Sequence, residues 1–148
     1  MEGGLRVRGH VLALALRPAK SAPMQLCHEL ALTPENGVIG DHGTSLRRQV
    51  TLLDKAAWDL ACQEVETELP WITRRANILV TGIELQELVG RRVQIGTAIV
   101  EVIGEVDPCH VMDAAQSGLR SALESDWRGG VYAKVIEQGK IQLNDVIV

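Results

Sequence analysis

The sequence predicts a mixed, β-rich (α+β) fold: a closed or partly closed β-barrel of about seven to eight strands with two main helices. Three observations carry this. Short β-like segments outnumber helical ones, and strand and helix do not alternate regularly as a parallel α/β sheet would require. Of the 148 residues 46% are hydrophobic but only 3% aromatic, with no Phe, so Val, Ile, Leu and Ala must build the core. The chain is too short for two large cores, and closing a barrel removes the exposed edges that many strands would leave.

In chain order, Gly9 to Leu16 is an apolar β-like run stopped by Arg17-Pro18. Residues Met24 to Thr33 alternate, with Met24, Leu26, His28, Leu30 and Leu32 on one side, which argues for a half-buried strand. His28 on that side reads as a core or rim histidine. Pro34 to Thr44 is a loop dense in Gly, Asn and Asp. Arg47 to Leu53 is the next strand, and Asp54 then caps a helix over Lys55 to Leu69, ended by Pro70. Trp58, Cys62, Val65 and Leu69 recur at helical spacing on its buried face.

Arg74 to Thr81 reads as a strand, and Leu88 to Glu105 as two strands joined at Gly96-Thr97. Pro108 to Glu124 is the second helical region. The chain closes with Val131 to Glu137, Lys140 to Leu143 and Val146 to Val148 as strands. The segments from Val93 and from Ile141 are similar units, read as matching arms of one barrel. No linker or low-complexity segment divides the chain, so one domain over residues 1–148 is expected.

A net charge of −4 gives no general attraction to nucleic acid or to membrane. No stretch approaches the ~18 apolar residues of a membrane span. Cys27, Cys62 and Cys109 are odd in number and widely spaced, which is not a disulfide framework. The start, Met1-Glu2-Gly3-Gly4, has no signal-peptide pattern. A reducing, cytoplasmic setting is the expectation.

Four places could carry chemistry. The loop Gly37-Val38-Ile39-Gly40-Asp41-His42-Gly43 offers permissive glycines with an acid and a base, or it is a tight turn held by Asp41. The pairs Arg47-Arg48, Arg74-Arg75 and Arg91-Arg92 are exposed charge, or guanidinium forks that bind phosphate. Trp127-Arg128-Gly129-Gly130 is a turn, or a close backbone approach to a ligand. Cys109 is the fourth. With Asp107 as N-cap and Pro108 as first helical residue, it would sit in the first turn, where backbone N–H groups favour a thiolate. The alternative for Cys109 is a small apolar core residue. An exposed thiolate could carry a persulfide or ligate a metal.

Taken together, the ordered motifs resemble those of MOSC domains, the C-terminal domains of molybdenum-cofactor sulfurases that also occur alone in bacteria. The residues are Gly37-Val38-Ile39-Gly40-Asp41-His42, Arg48-Gln49-Val50-Thr51-Leu52, Arg75-Ala76-Asn77-Ile78-Leu79-Val80, Gly82-Ile83-Glu84-Leu85 and Leu88-Val89-Gly90. Ile95-Gly96, Pro108-Cys109, Arg128-Gly129-Gly130-Val131 and Gly139-Lys140-Ile141 follow in order. The resemblance runs from about Gly9 to the C-terminus.

The resemblance implies a β-barrel handling the molybdenum cofactor (molybdopterin), with Cys109 as persulfide carrier or metal ligand. It implies Arg48, Arg75, Asn77, Gly40, Asp41, His42 and Arg128 as cofactor-binding residues. A pyridoxal-phosphate association also comes with the family. The expected partners are the cofactor or a sulfur-donor protein. One alternative is a molybdenum-dependent reductase of N-hydroxylated substrates, which would need a separate electron-transfer partner. The other is a non-catalytic barrel binding an anion or a protein partner. The turn Gln142-Leu143-Asn144-Asp145 has Asn144 where the family usually has glycine; Asn tolerates the left-handed backbone the turn requires.

Overall fold

In the computed structural model, which describes residues 8–148, seven strands close a barrel. The Met1-Glu2-Gly3-Gly4 stretch lies outside the described residues. The strands in chain order are β1 (Gly9–Leu16), β2 (Gln25–Cys27), β3 (Glu29–Thr33), β4 (Gly37–Val38), β5 (Val50–Asp54), β6 (Ile78–Thr81), β7 (Arg92–Ile95), β8 (Ala98–Glu105), β9 (Val131–Glu137), β10 (Gly139–Gln142) and β11 (Val146–Ile147). The barrel runs β11-β7-β8-β9-β5-β6-β1 and closes where β1 meets β11, Gly9 opposite Ile147. β2 adds to the far end of β1, and β3, β4 and β10 form a separate three-stranded sheet.

Closure removes unpaired edges, as the count of short strands required. One expectation is corrected here. β7 is a barrel strand, whereas β10 pairs with β3, so the similar Val93 and Ile141 units are not matching arms. Ile141 still reaches the barrel core, so a shared apolar pattern reflects a shared core and not a shared sheet.

β5 and β6 are parallel, with Leu52 opposite Ile78 and Leu53 opposite Leu79. Leu52, Ile78 and Val80 point into the barrel, while Leu53 and Leu79 point outward into a second cluster. Strands buried on both faces read as unbroken apolar runs, which is why Val50–Leu53 and Ile78–Val80 show no alternation. The outer face is covered by three helices: α1 (Lys55–Glu64), α2 (His110–Ala115) and α3 (Leu119–Glu124). Trp58, Cys62, Met112, Leu119 and Leu123 fill that layer.

Several segment boundaries differ from the sequence reading. α1 ends at Glu64 rather than Leu69. Glu66 takes a left-handed φ of 54°, and the Trp58 indole N–H donates to the Leu69 carbonyl at 3.0 Å. That bond folds the 65–69 segment back beside the helix. Trp71–Arg74 is a 3-10 turn ended by Arg75 at φ 64°, so the strand begins only at Ile78. The second helical region is split between α2 and α3 at Gly118, φ 86°. The alternation across Met24 to Thr33 breaks at His28: Leu30 and Leu32 are buried, yet Leu26 is 65% exposed and His28 is exposed. His28 is thus neither a core nor a rim histidine. Asn144 takes φ 70°, the left-handed conformation its turn demands.

Gly129 and Gly130 enter β9 where two backbones nearly touch. A Cβ on Gly129 would lie 2.7 Å from the Val106 carbonyl oxygen, and one on Gly130 would run into that of Leu52, at φ 94°. The close approach is therefore to the protein's own chain. Gly130→Ala should lower stability by roughly 1–3 kcal/mol through strain at a left-handed position. The expected result is a lower urea midpoint with an unchanged m-value, measured by equilibrium unfolding.

Candidate active site: an arginine-lined cavity at Cys109

The ends of β1 and β8 and the starts of β6 and β9 converge beside Thr51 and Leu52. Between this corner of the barrel and the start of α2 lies a cavity of about 260 Å3. Its lining includes Arg17, Arg48, Arg74 and Arg75, the carboxylates of Asp41 and Asp107, and Cys109. Four guanidinium groups against two carboxylates make it a cationic recess in a protein of net charge −4.

Arg74 is the buried arginine of this lining, with 7% of its surface exposed. Its Nε donates to the Gly129 carbonyl at 3.1 Å and its Nη2 to that of Val106 at 2.9 Å. These bonds tie the 3-10 turn to the end of β8 and the entry to β9. No carboxylate pairs with it among the described residues. Burial pulls this guanidinium below its ordinary pKa; a charge on Cys109 acts the other way, Arg48 lowers it again and Asp107 raises it. The two side chains are therefore electrostatic neighbours.

Cys109 does not stand where the helix-start reading put it. It is itself the N-cap of α2, with extended backbone and no side-chain capping bond, so Asp107 is not the cap and Pro108 is not helical. The Val106 N–H donates to the Gly130 carbonyl, and the Val106 carbonyl accepts from Arg74. These bonds hold the chain extended along the glycine pair, and the helix starts only beyond it. A six-residue helix offers little dipole, and the cavity that Cys109 lines is also lined by four arginines. Cys109 is exposed.

The other sequence candidates divide. Arg75 and Asn77 line the cavity from the approach to β6, and Arg48 lines it from the approach to β5. Arg48 is placed over the Tyr132 ring, 5.3 Å from its centre. Asn77 is buried: its Oδ1 accepts from the Thr51 N–H at 3.0 Å and its Nδ2 donates to the Ala15 carbonyl at 3.2 Å. It joins β1, β5 and β6 at the cavity wall and has little capacity left for a ligand. Asp41 lines the cavity and accepts from the Arg17 N–H at 2.8 Å, tethering its loop to the end of β1.

Gly40, His42 and Arg128 lie outside the cavity lining. Gly40 makes its turn at φ 85°, and His42 is exposed with its backbone N–H donating to the Arg17 carbonyl. Arg128 pairs with Glu64 and donates to the Ala122 carbonyl, pinning α3 to α1. Sequence reasoning overlooked Arg17, and it named Arg74 only as half of a basic pair, not among the expected cofactor-binding residues. Arg74 stood next to the chosen Arg75, and only the left-handed turn at Arg75 shows that the two arginines diverge, one buried and one exposed.

Over residues 39–148 the sequence matches the MOSC domain. The chain belongs to the MOSC domain family. Among solved structures, the YuaD protein from Bacillus subtilis is similar at a TM-score of 0.80 and 20% identity, covering 94% of this chain and 93% of that one. YiiM from Escherichia coli (0.70, 17%, 93% and 68%) and YiiM from Geobacillus stearothermophilus (0.69, 14%, 97% and 73%) share the fold. At these identities the likeness concerns the fold alone. No curated protein matches the chain significantly.

The donor set of this MOSC domain fits a ligand with an anionic group and a soft centre: guanidinium forks for phosphate, one thiol for metal or sulfur. Among the described residues no three His, Cys, Asp or Glu side chains come together as a metal site. The lining contains no lysine, so it does not fit pyridoxal phosphate held as a Schiff base.

The remaining thiols are set apart. Burial pushes Cys62 and Cys27 up, an effect weakened but not cancelled by hydrogen bonds from the backbone near Leu69 and Glu29. Cys62 packs in the outer core, as its helical spacing predicts. Near neutral pH a limiting alkylating reagent should therefore label the folded protein at Cys109 first, with Cys27 and Cys62 following on denaturation. Peptide mass spectrometry of the time course checks this order.

Proposed function

We propose that this MOSC domain binds the molybdenum cofactor or carries sulfur, using Cys109 as persulfide carrier or metal ligand. The observation that supports this reading is that an exposed cysteine opens into a cavity lined by four arginines. Arg48 and Arg75, both exposed at the cavity, would receive the cofactor's phosphate, with Arg74 behind them. Cys109 would supply the thiolate. When bound, the cofactor supplies a redox-active metal with an exchangeable terminal sulfur.

The cavity volume of about 260 Å3 lies just below the roughly 300–1,000 Å3 that usually encloses a small ligand. A phosphate and part of a pterin would be held while the rest projects outward. Such partial enclosure suits transfer to a partner better than permanent retention. The carrier role requires a sulfur donor, and a donor protein is the partner expected from the family resemblance.

Purification after co-expression with cofactor biosynthesis tests the reading. The wild type should retain molybdenum and pterin, or cyanide-releasable sulfur, and Cys109→Ser should lose the sulfur. Arg48→Ala combined with Arg75→Ala should lower bound pterin by about tenfold or more, the scale of two charge-assisted contacts. A wild type with no molybdenum, no pterin and no releasable sulfur contradicts the proposal.

A further inference from the structure

The innermost part of the cavity is more specific than a general anion site. Arg74 is more than nine-tenths buried, yet its charge has no carboxylate partner among the described residues. Among the described residues only its Nε and Nη2 find protein acceptors, both carbonyls, out of the five N–H donors that a guanidinium carries. A buried cation with unused donors in a cavity wall is costly unless an anion enters. Arg48 and Arg75 add exposed guanidinium groups at the same recess, and the exposed Cys109 borders it. The volume suits an ion of a few atoms better than a whole cofactor.

We propose that Arg74, Arg48 and Arg75 form an oxyanion subsite that seats the sulfonate end of a small inorganic sulfane donor of the thiosulfate class beside Cys109. This rests on the sulfur-carrier reading above and names the class of donor. A sulfonate offers several oxygens to guanidinium donors, and its outer sulfur, one bond away, would face the thiol. The Cys109 thiolate attacks that outer sulfur. A bond forms from Sγ to it, the donor's sulfur–sulfur bond breaks, and the electron pair of that bond leaves with sulfite. Charge and electrons balance: thiolate and thiosulfate dianion give persulfide anion and sulfite dianion, with no outside oxidant or reductant.

The arginines have two tasks in this step. They concentrate a dianion next to a thiolate, which would otherwise repel it, and they stabilise the charge that collects on the departing sulfite. Arg74 positions through its bonds to Val106 and Gly129, which fix it with respect to the chain that carries Cys109. The carboxylates of Asp41 and Asp107 also line the cavity. Asp41 is occupied by the Arg17 N–H, and both are outnumbered by guanidinium groups.

The test mixes purified protein with sodium thiosulfate and measures sulfite release, protein mass and thiocyanate formed on adding cyanide. Near-stoichiometric sulfite is expected, with one sulfur added at Cys109 and recovered as thiocyanate. Cys109→Ser should abolish all three signals. Arg75→Ala changes an exposed side chain and should raise the thiosulfate concentration for half-maximal loading roughly tenfold. Arg74→Lys, accepted only if its circular dichroism and melting are native-like, should slow loading by a similar factor, because lysine cannot keep both carbonyl bonds and a sulfonate contact. A parallel arm offers inorganic polysulfide. Loading from polysulfide without sulfite release from thiosulfate overturns the donor class while leaving the carrier reading intact. No loading from either source overturns both. Equal loading of wild type and Arg75→Ala at every thiosulfate concentration overturns the oxyanion subsite.

Discussion

The arrangement at Cys109 depends on one buried guanidinium. Arg74 bridges the carbonyls of Val106 and Gly129, two points far apart in sequence that carry the end of β8 and the entry to β9. Among the described residues no backbone N–H donates to either carbonyl, and leaving either unsatisfied would cost about 1–3 kcal/mol. One side chain satisfies both and also fixes the path of the Asp107-Pro108-Cys109 segment. The cost is a cation taken out of water without a carboxylate to answer it. A charge with donors beyond those the two carbonyls take is in keeping with a site that receives anions.

The neighbouring residues serve the same geometry. Gly129 and Gly130 bring β9 against β5 and β8 where a side chain would collide, which leaves the Gly129 carbonyl within reach of Arg74. Arg75 departs from Arg74 through a left-handed turn, so one arginine is buried and the next stays exposed at the cavity. Asn77 then locks the start of β6 to Thr51 and Ala15. Arg48 stands at the opposite approach, over Tyr132. The barrel thus supplies rigid strand ends, and the irregular backbone between them supplies the chemistry, as in many sites set on loops of a firm scaffold.

The legible part of the sequence was what depends on local pattern. The apolar runs of β1, β5, β6 and β8, the turn at Gly96-Thr97, the cap at Asp54 and the packing role of Cys62 all follow from residues near in sequence. The family, too, was readable from ordered motifs over much of the chain. What escaped was set by contacts between distant segments. The early end of α1 depends on Trp58 reaching Leu69, and the delayed start of α2 depends on Val106 being held by Arg74 and Gly130. Arg128 pairs with Glu64, His42 is exposed, and neither lines the cavity, placements that no spacing rule contains.

The central claim is that Cys109 is a thiol within a positive recess, and charge-dependent alkylation tests it most directly. Rates of Cys109 modification by anionic iodoacetate and neutral iodoacetamide are compared at low and high salt, with free cysteine as reference. A cationic cavity predicts an iodoacetate-to-iodoacetamide ratio well above that of free cysteine, falling as salt screens the arginines. A ratio equal to that of free cysteine and indifferent to salt would contradict the account.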